Sequence, residues 1–183
     1  MHKYFEFYYF IDKFDFKELS RIKKKINIIF RDYNKKLNLD DILKTKKLCK
    51  RKGFKLFLAN NIKLAIKLNL DGVYLPAFNR KLNYININCF KNFKIIGSAH
   101  NIKEIKVKEK QKCEKIFISP LFKTDKNKNF LDTIKFNLIA NKTKKQIISL
   151  GGINSKNLKR INLTKSRGVA SISWIKKNGL NKI

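Results

Sequence analysis

Two adjacent glycines, Gly151 and Gly152, give the sharpest chemical signal in this sequence. They stand in Leu150-Gly151-Gly152-Ile153-Asn154, after an apolar run. There the missing side chains let the main chain approach a ligand with its N–H groups exposed. A helix expected over 155–161, with Asn154 as its N-cap, would add the positive potential of its N-terminus. The alternative is a tight turn that needs two glycines. Ile172-Ser173 ends the next apolar run and offers a second set of donors. Arg31 follows the run that ends at Phe30, and its guanidinium can fork onto two phosphate oxygens. A salt bridge to Asp32 or Asp12 is the competing use. Ser98 and His100 lie in Gly97-Ser98-Ala99-His100, where Ser98 is the better ligand contact and His100 is open to a structural role beside the next helix. Thr124, in Ser119-Pro120-Leu121-Phe122-Lys123-Thr124, could orient a ligand or be an ordinary loop residue. The chain carries no P-loop, no GxGxxG, no HExxH and no zinc spacing.

These residues need elements to position them. Eight β-rich runs are expected, at 4–11, 26–30, 54–58, 72–75, 94–96, 115–118, 146–150 and 168–172. Helical stretches separate them at 39–51, with Asn38 or Asp40 as cap and Leu43, Leu48 and Cys49 inward, then at 62–68, 102–112, 129–141 and 155–161. The 102–112 stretch has a thin apolar face. Several runs are continuously apolar instead of alternating, as in a parallel sheet covered on both faces. The count matches a compact, single-domain (β/α)8 TIM barrel over 1–183, with a doubly wound open sheet as the alternative. The chain is short for a barrel, so the connections near 79–91 and after Trp174 must be reduced. In a barrel, function sits at the C-terminal ends of the strands. Asp12, Arg31, Asn60, Ser98, His100, Thr124, Gly151, Gly152 and Ser173 all fall there.

A hydrophobic share of 43% can fill one core, and the charged share is 31% with a formal net charge of +31. Such charge raises nucleic acid as a partner. The lysines are spread along the whole chain, however, without a dense block or a motif, which favours a global compositional skew over a dedicated surface. Small anionic ligands are favoured, with salt-sensitive, non-specific contact to nucleic acids. Cys49, Cys89 and Cys113 are odd in number and far apart, which suits reduced thiols in a cytoplasmic protein and not zinc. Glu6 and Asp12 interrupt the first apolar stretch, so it reads as a strand and not a signal peptide. No apolar run approaches the ~20 residues that span a bilayer.

Taken in order, these segments resemble the thiamine phosphate synthase/TenI family over about 8–174. Tyr9-Phe10-Ile11-Asp12 resembles its first strand, and Phe30-Arg31-Asp32 its Leu-Arg-(Asp/Glu) segment. Asp71-Gly72-Val73-Tyr74-Leu75 resembles Asp-Gly-Val-His-Leu, and Gly97-Ser98-Ala99-His100 a Ser-(Thr/Ala)-His segment. Ser119-Pro120-Leu121-Phe122-Lys123-Thr124 resembles Gly/Ser-Pro-Val-Phe-x-Thr. Gly151-Gly152-Ile153 and Gly168-Val169-Ala170-Ser171-Ile172-Ser173 resemble its phosphate-binding end. The family enzyme joins a hydroxymethylpyrimidine diphosphate to a thiazole phosphate, with Mg²⁺ helping pyrophosphate depart. The resemblance implies a transferase of thiamine biosynthesis, with Arg31 on the diphosphate and Ser98 and Thr124 on the substrates. Gly151, Gly152, Ile172 and Ser173 would hold the thiazole phosphate, and Asn60 and His100 would add substrate contacts.

The sequence departs from that pattern where metal would bind. The family's Lys two positions after the Arg is Tyr33. Its Asn-Asp pair after the third strand falls on Ala59-Asn60 or Asn60-Asn61, and its next metal-binding Asp falls near Asn79. Asn61 and Asn79 are thus the metal candidates, and a neutral amide binds Mg²⁺ more weakly than a carboxylate. The family's Thr-Lys pair falls near Lys126-Asn127. Pro120 stands where relatives acting on the thiazole carry His. Three readings remain: a synthase-type transferase, a non-catalytic protein that binds phosphorylated thiamine intermediates, and a basic nucleic-acid-binding protein.

Overall fold

The computed structural model describes residues 5–33, 37–82, 92–124 and 129–178. Tyr4, Cys89, Lys126 and Asn127 lie outside the described residues. Eight parallel strands close into a barrel in chain order: β1 (Glu6–Ile11), β2 (Asn27–Phe30), β3 (Lys55–Ala59), β4 (Gly72–Leu75), β5 (Lys94–Ala99), β6 (Lys115–Ile118), β7 (Gln146–Leu150) and β8 (Gly168–Ser171). The ring closes where β1 pairs with β8, from Glu6 opposite Gly168 to Tyr9 opposite Ser171. The doubly wound alternative is therefore excluded.

Side chains alternate across each strand, so the barrel has two cores. Tyr8, Phe10, Ile29, Phe57, Tyr74, Ile96, Phe117, Ile148 and Ala170 fill the inside. Their neighbours Tyr9, Ile28, Leu56, Leu58, Val73, Ile95, Ile116, Ile147 and Val169 face outward under the helices. Both faces are dry, which is why the runs read as continuously apolar. Four strands, β1, β3, β4 and β6, contribute aromatic rings to the interior, with Phe117 edge-on to Tyr8 at 4.8 Å and to Tyr74 at 5.6 Å.

The helices are α1 (Phe16–Ser20), α2 (Leu39–Lys52), α3 (Ile62–Lys67), α4 (Ile102–Lys110), α5 (Asp132–Ala140) and α6 (Ser173–Asn178). Asn38 caps α2 by accepting from Asp40 N and Asp41 N. Asn61 and Asn101 cap α3 and α4 in the same way. The inward face of α2 is Ile42, Thr45, Leu48 and Cys49, so Leu48 and Cys49 point inward as expected, whereas Leu43 is 45% exposed and Ile42 takes its place. In α5 only Phe136 and Ala140 are buried, and Ile134 and Leu138 face outward. The helix expected over 155–161 is instead a 3-10 segment at Leu158–Leu163, preceded by an irregular loop. Asn154 still takes part there, accepting from Lys156 N and Asn157 N. No helix among the described residues is long and apolar enough to cross a membrane.

Candidate functional site

A cavity of about 500 Å³ opens at the C-terminal mouth, against β1, β2 and the end of β8. Arg31, Asp12, Asp32, Tyr33 and Ile172 line it, joined by Glu18 of α1 and Lys176 of α6. The backbone N–H of Arg31 donates to Ile11 O at 2.7 Å, which fixes the residue at the strand end. Its guanidinium lies 4.6 Å over the Phe10 ring and 5.7 Å from that of Tyr33. No ion pair ties it to Asp12 or Asp32. A stacked guanidinium keeps its N–H edge open, so Arg31 presents donors to the cavity.

Two of the acids at this mouth are already engaged. Asp15 caps α1 through Glu18 N, and Glu18 accepts from the Tyr9 hydroxyl and faces Lys176 at 3.7 Å. Burial, then that hydrogen bond, pushes the Tyr9 hydroxyl well above its ordinary range, so it stays a donor.

Gly151 and Gly152 follow β7 with φ of 93° and 68°, a region that L side chains avoid. Their immediate neighbour is the chain itself. The loop after β6 crosses over them, with Leu121 N donating to Leu150 O at 2.9 Å and Phe122 N to Gly151 O at 3.1 Å. A Cβ on Gly152 would stand 2.4 Å from the carbonyl oxygens of Phe122 and Lys123. The tight-turn reading of the glycines is therefore satisfied by the fold itself. The ligand reading is compatible with it, because the N–H groups of Gly152 and Ser173 donate to no described residue. Both lie at the C-terminal ends of β7 and β8, which are hydrogen-bonded neighbours.

After β3 and β4 the structure brings Asn60 and Asn79 together. Asn60 has φ 58° and its N–H donates to Tyr74 O at 2.8 Å. Asn79 Nδ2 donates to Asn60 Oδ1 at 2.6 Å, while its own Oδ1 accepts from Lys81 N and Gln111 Nε2. Lys108 lies beneath, wholly buried, donating to Pro76 O, Asn79 O and Gln111 Oε1 at 2.7–2.9 Å. Burial lowers its pKa to about 8. Three acceptors match the three N–H donors of an ammonium group, so it is charged at neutral pH. Asn61, the other metal candidate, spends its side-chain oxygen on Leu64 N at the start of α3. Among the described residues no three His, Cys, Asp or Glu side chains cluster to hold a metal. Two neutral amides joined by one hydrogen bond are a poor donor set for Mg²⁺, which favours carboxylate oxygen.

The remaining candidates are scattered. Ser98 is buried on β5, two residues beyond the inner-facing Ile96, and so faces the barrel interior. His100 Nδ1 lies 2.8 Å from Ser119 O, and its N–H donates to Glu104, whose own N–H is accepted by the cap Asn101. That ties the ends of β5 and β6 together. Thr124 lies in the loop after β6. None of Ser98, His100, Thr124, Asn60 or the two glycines lines the cavity of Arg31.

A family model described as thiamine monophosphate synthase matches residues 20–175. The chain belongs to the thiamine monophosphate synthase family. It is 27% identical over 149 residues to a thiamine-phosphate synthase of Prochlorococcus marinus subsp. pastoris, covering 80% of this chain and 41% of that protein. A thiamine-phosphate synthase of Helicobacter pylori is 26% identical over 138 residues, 73% of this chain and 63% of its own. The chain thus spans less than two thirds of the length of either relative. Among solved structures, thiamine phosphate pyrophosphorylase from Pyrococcus furiosus has a TM-score of 0.77 at 18% identity, covering 97% of this chain and 89% of that one. N-(5'-phosphoribosyl)anthranilate isomerase from the same organism has a TM-score of 0.66 at 14% identity, covering 96% and 91%. At these identities the likeness concerns the fold.

Against the thiamine monophosphate synthase pattern, sequence reasoning missed five polar cavity residues: Tyr9, Lys13, Asp15, Glu18 and Lys176. Glu18 was legible, because Asp15 followed by Glu18 is the spacing of a helix N-terminus. Tyr9 faces outward under α1 and carried no signal of its own. Lys176 sits on α6, where the sequence reading expected only a reduced connection after Trp174.

Proposed function

We propose that this barrel is a synthase-type transferase that joins a hydroxymethylpyrimidine diphosphate to a thiazole phosphate. One observation carries the reading: Arg31, stacked on Phe10 and without an ion pair to any described residue, opens onto the same cavity as Ile172, the residue that follows β8. In this scheme the N–H groups of Gly152 and Ser173, with Ile172, hold the thiazole phosphate. Arg31 forks onto the diphosphate, while Ser98 and Thr124 contact the heterocycles. The methylene C–O bond of the pyrimidine breaks, its electron pair leaves with pyrophosphate, and the thiazole nitrogen lone pair forms the new C–N bond. Negative charge grows on the departing group, and a preorganised cation offsets it. Here Arg31 supplies that cation, with Lys13 and Lys176 at the same mouth. The Asn60–Asn79 pair leaves no carboxylate-held Mg²⁺ for the task, so turnover is slow or insensitive to Mg²⁺.

That same amide pair favours a second reading, a binding protein for the phosphorylated intermediates without turnover. Calorimetry with thiazole phosphate and with the pyrimidine diphosphate, each with and without Mg²⁺, is run beside a coupling assay on wild type and Arg31→Ala. Binding of both ligands, with turnover lost in Arg31→Ala, supports the transferase. Binding of thiazole phosphate without turnover selects the second reading. Absence of binding by either ligand sinks both.

A further inference from the structure

The opposite end of the barrel carries a layer that its apolar interior does not explain. Counting back two residues along the strands from the inner-facing Tyr8, Ile29, Phe57, Ile96 and Phe117 gives Glu6, Asn27, Lys55, Lys94 and Lys115. Parity turns all five into the N-terminal mouth. Lys25, two residues before Asn27, joins them, and the corresponding positions on β4 and β8 are Gly72 and Gly168, which contribute no side chain. The result is a cavity of about 280 Å³ lined by Lys25, Lys55, Lys94 and Lys115 over a floor of Tyr8, Phe57 and Ile96. Barrel interiors of this type are ordinarily filled by bulky branched apolar side chains.

The charges do not cancel. Lys115 pairs with Glu6, which also accepts from the Tyr8 hydroxyl at 2.5 Å. Lys94 pairs with the exposed Glu114 at 2.8 Å. Lys25 and Lys55 have no carboxylate partner among the described residues. Four cations against two anions leave a surplus of two positive charges in a confined, part-apolar well. Like charges gathered around one concave mouth raise the local positive potential and attract a small anion. At about 280 Å³ the well lies just under the roughly 300–1,000 Å³ of sites for drug-sized molecules. A compact occupant fits that size, and lysines bind phosphate as point charges.

We propose that the N-terminal mouth is a second anion site, for a small condensed phosphate held by Lys25, Lys55, Lys94 and Lys115. It is separate from the Arg31 cavity, at the other end of the barrel. The probe is inorganic tripolyphosphate, titrated calorimetrically at physiological ionic strength into Arg31→Ala, so that the opposite mouth does not contribute. A saturable site is expected. Adding Lys25→Met and Lys55→Met, two lysines without ion pairs among the described residues, should weaken it by at least about tenfold, as loss of two charge-assisted contacts requires. The control, Lys63→Met with Lys67→Met on the exposed side of α3, removes the same charge and should change affinity less than about threefold, because exposed charges beyond a Debye length are screened. The same pair of variants in the otherwise unaltered chain covers the case in which Arg31→Ala folds poorly. Equal loss in the pocket and control variants would mean that net charge alone attracts the probe. That result, or no saturable site in either background, overturns the proposal.

Discussion

Replacing both Asn60 and Asn79 by aspartate tests why this barrel carries amides at the ends of β3 and β4. In the present structure the two side chains form one hydrogen bond of 2.6 Å, and Asn79 is 8% exposed. Two carboxylates cannot share that arrangement. At about 4 Å separation their repulsion is on the order of 4 kcal/mol at an effective dielectric of 20 and about 1 kcal/mol in bulk water. Asn79 is buried and Asn60 exposed, so a loss of about 2–3 kcal/mol is expected in metal-free buffer. A bridging divalent cation removes the repulsion. Binding only the folded state, it returns about 2.7 kcal/mol at a hundredfold excess over its Kd. Urea unfolding of wild type and Asn60→Asp/Asn79→Asp, in EDTA and in MgCl2, reads these terms without any activity assay. The double variant should be destabilised in EDTA and rescued by Mg²⁺, with wild type unmoved. Equal stabilisation of wild type by Mg²⁺, or no response in the double variant, would refute the assignment of this pair as the substituted metal position.

Three further outcomes follow from particular contacts. Gly152→Ala meets both a left-handed φ of 68° and two carbonyl oxygens at 2.4 Å, so it should cost well over about 2 kcal/mol in urea unfolding, whereas Gly53→Ala, at φ 66° in open space, should cost only about 1 kcal/mol. Lys108→Met leaves three acceptors without their donor and should lose about 3 kcal/mol at pH 7. The fold releases the Lys108 proton near pH 8 and the unfolded chain near 10.5, so wild-type stability relative to that variant should be flat below pH 8 and then rise by up to about 1.4 kcal/mol per pH unit until about 10.5; a relative fall in that window would reverse the assignment of burial, opposed by Glu104 and Cys113, as the cause. Nucleic-acid binding measured against salt should be weak, indifferent to sequence and gone by moderate ionic strength, and tight binding to one sequence at physiological salt would show that the basic surface has a dedicated partner.

The barrel was legible because its strands are dry on both faces and therefore stand out as short apolar runs between lysine-rich stretches. What escaped has local causes. Five residues of α1 bury only Leu19, too little to make a periodic pattern, although the Asp15–Glu18 cap was present. The face of α4 looked thin because one of its inward positions is Lys108, and no pattern of polarity distinguishes a buried lysine from the many solvated ones in this chain. The glycine pair had two readings in the sequence, and the structure gives a physical basis to the turn through the crossing loop of β6 while leaving the N–H of Gly152 without a described partner. Arg31 was placed correctly at the mouth, but its stacking on Phe10 required knowing that Phe10 faces inward. The convergence of Asn60 with Asn79 needed the adjacency of β3 and β4, which residue spacing alone does not supply.

The chemistry of asparagine explains how a chain with only 13 acids against 44 basic residues keeps this architecture. Where an acid would serve only as an acceptor, an amide oxygen accepts equally well, and Asn38, Asn61 and Asn101 each cap a helix in that way. At the ends of β3 and β4 the requirement differs. Two carboxylates there are both acceptors, so they need a cation between them. Two amides offer a donor and an acceptor, and Asn79 Nδ2 to Asn60 Oδ1 closes the pair without one. Exchanging only one residue for an acid leaves one amide to act as the donor. Asn60→Asp keeps an acceptor opposite Nδ2 and should be nearly neutral. Asn79→Asp places a carboxylate oxygen against Asn60 Oδ1, although the Asn60 amide can rotate to present its own nitrogen. The buried Lys108 adds a fixed positive charge below, holding the carbonyls of Pro76 and Asn79. The β4 loop is therefore held by a side chain that is always present, and its geometry need not wait for a metal to arrive.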